Sequence, residues 1–400
     1  MPTCLRGHRP SSGSFLLLIA IVAGIAARAS TAEPPSDDEL DPTELLEIAE
    51  EVRKRFDQPA VAVAYVRGDR DPVAAITGVR SVQAGRAATI NDRFHFGSCT
   101  KAMTATLIGM LVHEKKLDWE DPVLGFFPEF AGSALEVYRE VTVRDLLSHR
   151  AGLVAATDGV SPEAQSIHGL TGTPRQQRRQ AVEIFLSMEP PVSPRRESRY
   201  SNAGSAIAAA IAEELTDRSW EDLLRAYVFE PVGMERAGFG WPATTDNPEQ
   251  PLGHLDLPKG LHPLPVDTTY HLNDVIAPAS NVHGTVTDLA RFARSHLLAL
   301  RGQPASIPSD VARKLHTPAD ENQPEALGWV RLPIAGQPAS WHNGSTGTFF
   351  AWMTIWPDLN LAVVVLTNAG SGEPACAAIT ERIVKRLTES TADEVSPPLE

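Results

Sequence analysis

The 400-residue sequence predicts an α+β protein: an antiparallel sheet drawn from both ends of the chain and flanked by helices, with a mostly helical subdomain inserted at about 118–240. Three observations carry this expectation. Short β-rich runs lie near both ends, at Ala60 to Val66 and Val73 to Val79, then at Leu327 to Leu332, Phe349 to Trp356 and Leu361 to Leu366. The middle of the chain is mostly helical in pattern, with Pro and Gly breaks. An amphipathic segment stands outside each group of strands: Pro42 to Phe56, with Leu45, Ile48, Ala49 and Val52 on one face, and Cys376 to Leu387.

Taken in order, residues 1–32 read as a secretory signal. Arg6 and Arg9 are its basic start, Phe15 to Ala27 is an apolar run too short for a comfortable membrane span, and Ala27-Arg28-Ala29 and Ser30-Thr31-Ala32 both fit a cleavage site, with cleavage after Ala32 preferred. Export to the periplasm or the extracellular space follows as an expectation, with no stable membrane association after cleavage. Residues 33–41 look like a flexible leader, 42–390 like the folded domain and 391–400 like a tail. Pro42 opens the first helix and Pro59 stops it; Gly68-Asp69-Arg70-Asp71 joins the first two strands as a hairpin. Asp92 to Gly97 leads into Ser98 as a loop or short strand, and a helix over Thr100 to Lys116 turns Met103, Leu107, Met110 and Leu111 to one side. Helices follow at Thr142 to His149, closing at Gly152, at Ala203 to Leu215 and at Val286 to Leu300; Pro and Gly are dense at 231–285, which reads as loop. Pro357 to Asn360 is a turn between the last two strands.

Composition narrows the function. The chain is 42% hydrophobic, and 36 basic against 50 acidic side chains leave it at −14, or −14 − 3 = −17 once Arg6, Arg9 and Arg28 are removed with the signal. That balance argues against nucleic acid or an anionic membrane surface as a partner. Of three cysteines, Cys4 falls in the signal; Cys99 and Cys376 make no disulfide framework, and whether they pair is open, though Cys99 reads as a small buried apolar residue.

The chemistry is carried by three short strings. In Ser98-Cys99-Thr100-Lys101, the serine and lysine stand three residues apart and share one helix face. A serine hydroxyl needs a base, and a lysine made neutral by burial and a helix N-terminus supplies one. In Tyr200-Ser201-Asn202, the phenol is a proton shuttle whose pKa a nearby ammonium would lower, and the Asn amide can hold a substrate carbonyl or the lysine. His342-Asn343-Gly344 precedes the strand at Phe349, where a substrate can lie along the strand edge, and the N–H of Ser345 can join that of Ser98 as an oxyanion hole.

Together the strings resemble the serine β-lactamase and penicillin-binding-protein superfamily, and most closely its class C branch, which includes D-alanyl-D-alanine carboxypeptidases, D-aminopeptidases and esterases. Leu117 to Val123, Leu146 to Leu153 and Leu366-Thr367-Asn368 are similar to further recurrent strings of that family. The resemblance covers about 45–390 and implies a β-lactamase/transpeptidase-like fold with no metal or organic cofactor. It implies Ser98 as acylated nucleophile, Lys101 and Tyr200 as general acid and base, and Asn202, His342, Asn343, Gly344 and Ser345 as substrate-binding. His342 and Asn343 stand where class C β-lactamases carry Lys and Thr, which moves the expectation from β-lactam hydrolysis toward a peptidase-like hydrolase. A carboxylic esterase or acyltransferase of the same fold, and a non-catalytic scaffold, are the alternatives. The substrate is then a small molecule, peptide or ester, and the oligomeric state is open. No Gly-x-Ser-x-Gly or His-Glu-x-x-His string is present, the remaining histidines read as surface or structural, and Arg175 to Arg179 reads as a solvated basic run.

Overall fold

A computed structural model describes residues 39–157 and 161–393; the expected signal, the leader up to residue 38 and residues 394–400 lie outside them. Six strands form one antiparallel sheet: β1 (Ala60–Arg67), β2 (Val73–Gly78), β3 (Val330–Ile334), β4 (Gln337–Ser345), β5 (Phe350–Trp356) and β6 (Leu361–Thr367), in the order β2-β1-β6-β5-β4-β3. The first and last strands pair in the centre, from Val61 opposite Thr367 to Arg67 opposite Leu361. Both ends of the chain therefore build one sheet, as the sequence leads one to expect.

All seven residues of β6 are buried, because both faces of the sheet are covered. Val61, Val63, Tyr65, Val363 and Val365 face the terminal helices α1 (Pro42–Arg55) and α6 (Glu373–Asp393). Ala62, Ala64, Val66, Met353 and Val364 face the opposite core, which holds α2 (Thr100–His113), α3 (Pro174–Ser187), α4 (Asn202–Thr216) and α5 (Val286–Leu300). A strand buried on both sides reads as a continuous apolar run rather than an alternation, and burying each Val or Leu is worth roughly 1.5–3 kcal/mol.

Several expectations change. Leu40 is 1% exposed and the Asp41 carboxylate caps α1 by accepting the N–H groups of Thr43 and Glu44, so these two residues belong to the fold rather than to a flexible leader. The strand placed at Leu327 begins only at Val330, because Gly328 turns the chain with φ +74°. In its place β4 spans Gln337–Ser345, a strand that the exposed Gln337 and Pro338 hide from an apolar reading. The 231–285 stretch holds a small hairpin, His254–Leu257 with Gly260–Pro263, besides its loops. Arg178 is not solvated: it is 1% exposed, and its guanidinium bonds Glu213 at 2.6 Å and Glu221 at 2.9 Å, tying α3 to α4.

Helix α2 is where fold and site meet. It is buried almost all round, with Lys101, Thr104 and Thr106 at 0–1% exposure and Met110 half-buried, so it is a central helix and not a one-faced surface helix. Its polar side chains are satisfied internally: the Thr104 hydroxyl donates to the Pro278 carbonyl and the Thr106 hydroxyl to that of Ala102. Ala-rich α4 packs closely on its surroundings, because a Cβ on Gly204 would stand 2.6 Å from the Leu146 carbonyl oxygen.

Candidate active site

Residues Phe94–His95 form a two-residue strand that delivers the chain to a single turn, Gly97–Cys99, running directly into α2. Gly97 takes φ +50°, which a side chain would resist, and a Cβ there would lie 2.7 Å from the Ser345 nitrogen. A Cβ on Gly344 would lie 2.5 Å from the Ser98 nitrogen. Two glycines thus let the nucleophile turn and strand β4 meet backbone to backbone. The Ser98 N–H stands at a helix start, where no intrahelical carbonyl reaches it. The Thr346 N–H bonds the Phe349 carbonyl across the turn between β4 and β5, which by antiparallel alternation makes Ser345 opposite Phe350 a non-hydrogen-bonded pair. The Ser345 N–H therefore points away from β5. Two backbone donors thus face the space beside the Ser98 hydroxyl, a geometry suited to holding an oxyanion.

Lys101 sits one turn into α2, 1% exposed, with Nζ 3.3 Å from Ser98 Oγ, 2.7 Å from Asn202 Oδ1 and 3.0 Å from the Ala279 carbonyl oxygen. Burial pulls its amine down to about 7. A neutral amine has two N–H bonds and one lone pair. Asn202 and Ala279 offer two acceptors for the two hydrogens, so the lone pair is left facing Ser98. Asn202 is itself fixed, its Nδ2 donating to the Ala156 carbonyl at 2.9 Å. Expected as a substrate group, it is first a lysine holder, with one amide hydrogen left over.

The Tyr200 hydroxyl donates to Ser98 Oγ at 2.6 Å. Its phenol is raised to about 12, first by burial, with the Ser98 bond acting the other way. The expectation of a lowered phenol pKa is thus reversed. The residue as a whole is 41% exposed, and water at that open surface makes the rise smaller than in a sealed site.

Ser98, Tyr200, Asn202, Asn343, Gly344 and Ser345 all line one cavity of about 480 Å³. His342 does not: it is 5% exposed, its Nδ1–H donates to the Asn343 carbonyl at 2.6 Å, and burial beside Lys101 holds it down at about 4. Two larger clefts, of about 590 and 790 Å³, contain neither Ser98 nor Lys101. Among the described residues no cluster of three metal-ligating side chains exists and no helix is long and apolar enough to cross a membrane. Cys99 and Cys376 are both free and buried.

Residues 48–386 match the beta-lactamase family. The chain belongs to that family. It is similar to penicillin-binding protein 4 of Amycolatopsis lactamdurans, 28% identical over 361 residues that cover 87% of this chain and 91% of the relative. It is similar also to the unguisins hydrolase ungD' of Aspergillus campestris, 27% identical over 88% of this chain and 66% of the relative. The D-amino acid amidase of Ochrobactrum anthropi SV3 superposes with a TM-score of 0.67 over 88% of this chain and 98% of its own, and at 19% identity it shows the fold alone. The coarse expectation stands: this beta-lactamase-family protein is a serine hydrolase.

Two residues escaped the sequence reading. His149 was grouped with surface or structural histidines, yet its ring lies 4.7 Å from that of Tyr200, its Nδ1 accepts the Ser201 N–H at 3.3 Å, and burial holds it neutral, at about 3. His95 is 1% exposed, and its Nδ1 accepts the Gly97 N–H at 3.1 Å. It thereby fixes the turn that carries Ser98, while Trp241 packs 5.1 Å from its ring. The signal for His149 was its place in the Leu146 to Leu153 string; for His95 it was its place two residues before the glycine that precedes Ser98.

Proposed function

We propose that this chain is an exported serine hydrolase that cleaves an amide or ester bond through an acyl-Ser98 intermediate. The observation that carries the reading is the coordination of Lys101, whose two hydrogens have protein acceptors and whose lone pair faces Ser98 Oγ. In acylation the Ser98 proton passes to Lys101 as Oγ bonds the carbonyl carbon, and the resulting oxyanion accepts from the N–H groups of Ser98 and Ser345. Tyr200 passes its proton to the leaving group as the carbonyl–leaving-group bond breaks, leaving a phenolate while Lys101 keeps the serine proton. Water then enters where the leaving group stood and gives its proton to the Tyr200 phenolate as it attacks the ester carbon; Lys101 returns its proton to Ser98 Oγ as the acyl–oxygen bond breaks. The relative named a penicillin-binding protein supports an amide, the bond type of a penicillin's lactam, as the scissile bond, with ester cleavage and acyl transfer by the same route as the second reading.

A fluorophosphonate probe should label Ser98 in the wild type and fail on Ser98→Ala; equal labelling of both would sink the reading. Product analysis with added amine or alcohol separates transfer from hydrolysis. Export rests on residues 1–32, and sequencing the N-terminus of the secreted protein should find Glu33 first.

A further inference from the structure

The cavity at Ser98 has a property that the catalytic residues do not require: among the described residues, no Lys, Arg, His, Asp or Glu lines it. Its apolar wall is Tyr270, Leu272 and Ile276; its polar wall is Asn343, Ser345 and Thr346, all neutral. The position that could have supplied a cation from β4 is His342, which is 5% exposed and spends Nδ1 on the Asn343 carbonyl. Lys101 is 1% exposed behind Ser98 and has its own acceptors. Residues 158–160, which follow Thr157 of the lining, are Asp, Gly and Val and bring no cation by sequence. The whole chain carries −14, so its long-range field also repels anions.

We infer that the acyl donors taken by this site are uncharged on both sides of the scissile bond: neutral esters, or peptide-like amides whose C-terminus is blocked, in preference to substrates bearing a carboxylate. A carboxylate entering the cavity loses water and finds only neutral donors in exchange, where a charge-assisted bond is needed to offset its desolvation. A neutral carbonyl or amide loses far less and is well matched by the Asn343 amide and the hydroxyls beside it. The apolar wall adds binding for an aliphatic or aromatic group and none for an anion.

The inference rests on Ser98 being the nucleophile, and one experiment separates the two. Two alkyl fluorophosphonates of equal length, one ending in a methyl ester and one in a carboxylate, are compared by their rate constants for labelling Ser98 in the mature protein, with Ser98→Ala as blank. The neutral probe should react at least tenfold faster, and Asn343→Lys, which places a cation on the polar wall, should narrow that ratio. Labelling of Ser98 at equal rates, or faster by the carboxylate probe, overturns the substrate class and leaves the nucleophile standing. Failure of both probes to label Ser98 overturns the nucleophile and the inference with it. The wild-type ratio decides the matter if Asn343→Lys does not fold.

Discussion

The Lys101 amine lies over the face of the Tyr200 ring, 4.5 Å from its centroid, rather than against the phenol oxygen. The two groups meet only through Ser98, which Tyr200 donates to and Lys101 approaches. This geometry divides the work. The ring face gives a transient ammonium a cation–π partner, while the phenol, raised to about 12, keeps its proton until a leaving group needs it.

Acylation should therefore follow the ionisation of Lys101. Its amine is held at about 7, below the usual lysine value, and only the neutral form accepts the serine proton. The sign is fixed: kcat/KM for a neutral ester rises with pH, levels off above about 7, and shows no descending limb until the phenol ionises near 12. A profile flat from pH 5 to 9 would remove Lys101 as base.

Tyr200→Phe keeps the ring over Lys101 and deletes the proton donor. The loss should depend on the leaving group: about 10²–10³-fold in kcat for amides and alkyl esters, and much less for p-nitrophenyl esters, whose leaving group departs without a proton. Comparable losses for the two classes would assign Tyr200 a purely structural part.

His95→Ala leaves the Gly97 N–H buried without its acceptor, at a cost of about 1–3 kcal/mol. The turn bearing the Ser98 N–H loosens, so kcat should fall about 10–100-fold with KM little changed. His95→Asn, which restores a short acceptor at the same reach, should recover part of the loss. Equal kcat for the Ala and Asn variants would limit His95 to packing.

Arg178→Ala strands Glu213, itself 1% exposed, and should cost about 3–5 kcal/mol in urea unfolding. Replacing Glu213 as well, as Arg178→Met with Glu213→Leu, should recover only part of that, because Glu221 still loses its partner and the Trp220 N–H its acceptor. An Arg178→Ala protein as stable as the wild type would show that the α3–α4 junction does not depend on the pair.

Much of this was legible in the sequence. That Ser98, Lys101 and Tyr200 meet was recoverable because the chemistry of a serine nucleophile calls for those residue types, and the central pair β1 and β6 because they are long apolar runs. Strand β4 was not, since its burial comes from neighbours in space while Gln337 and Pro338 look like loop. Arg178 was lost in a basic run whose other members are half-buried or exposed; only Glu213 and Glu221, distant in sequence, make it interior. The Tyr200 pKa came out reversed because a neighbouring cation can be inferred from order along the chain, but whether it meets the oxygen or the ring cannot.

The pairing of β1 with β6 has a consequence for the birth of the molecule. A chain emerging from the ribosome shows Ser98 early, but the strand that borders it at Ser345, and the partner that locks β1 at Leu361–Thr367, come only near the end of synthesis. Contacts so distant in sequence make folding slow and late. Until then the serine is an ordinary alcohol. Hydrolysis cannot begin inside a half-made chain, and the appearance of activity is itself a clock that marks completed folding.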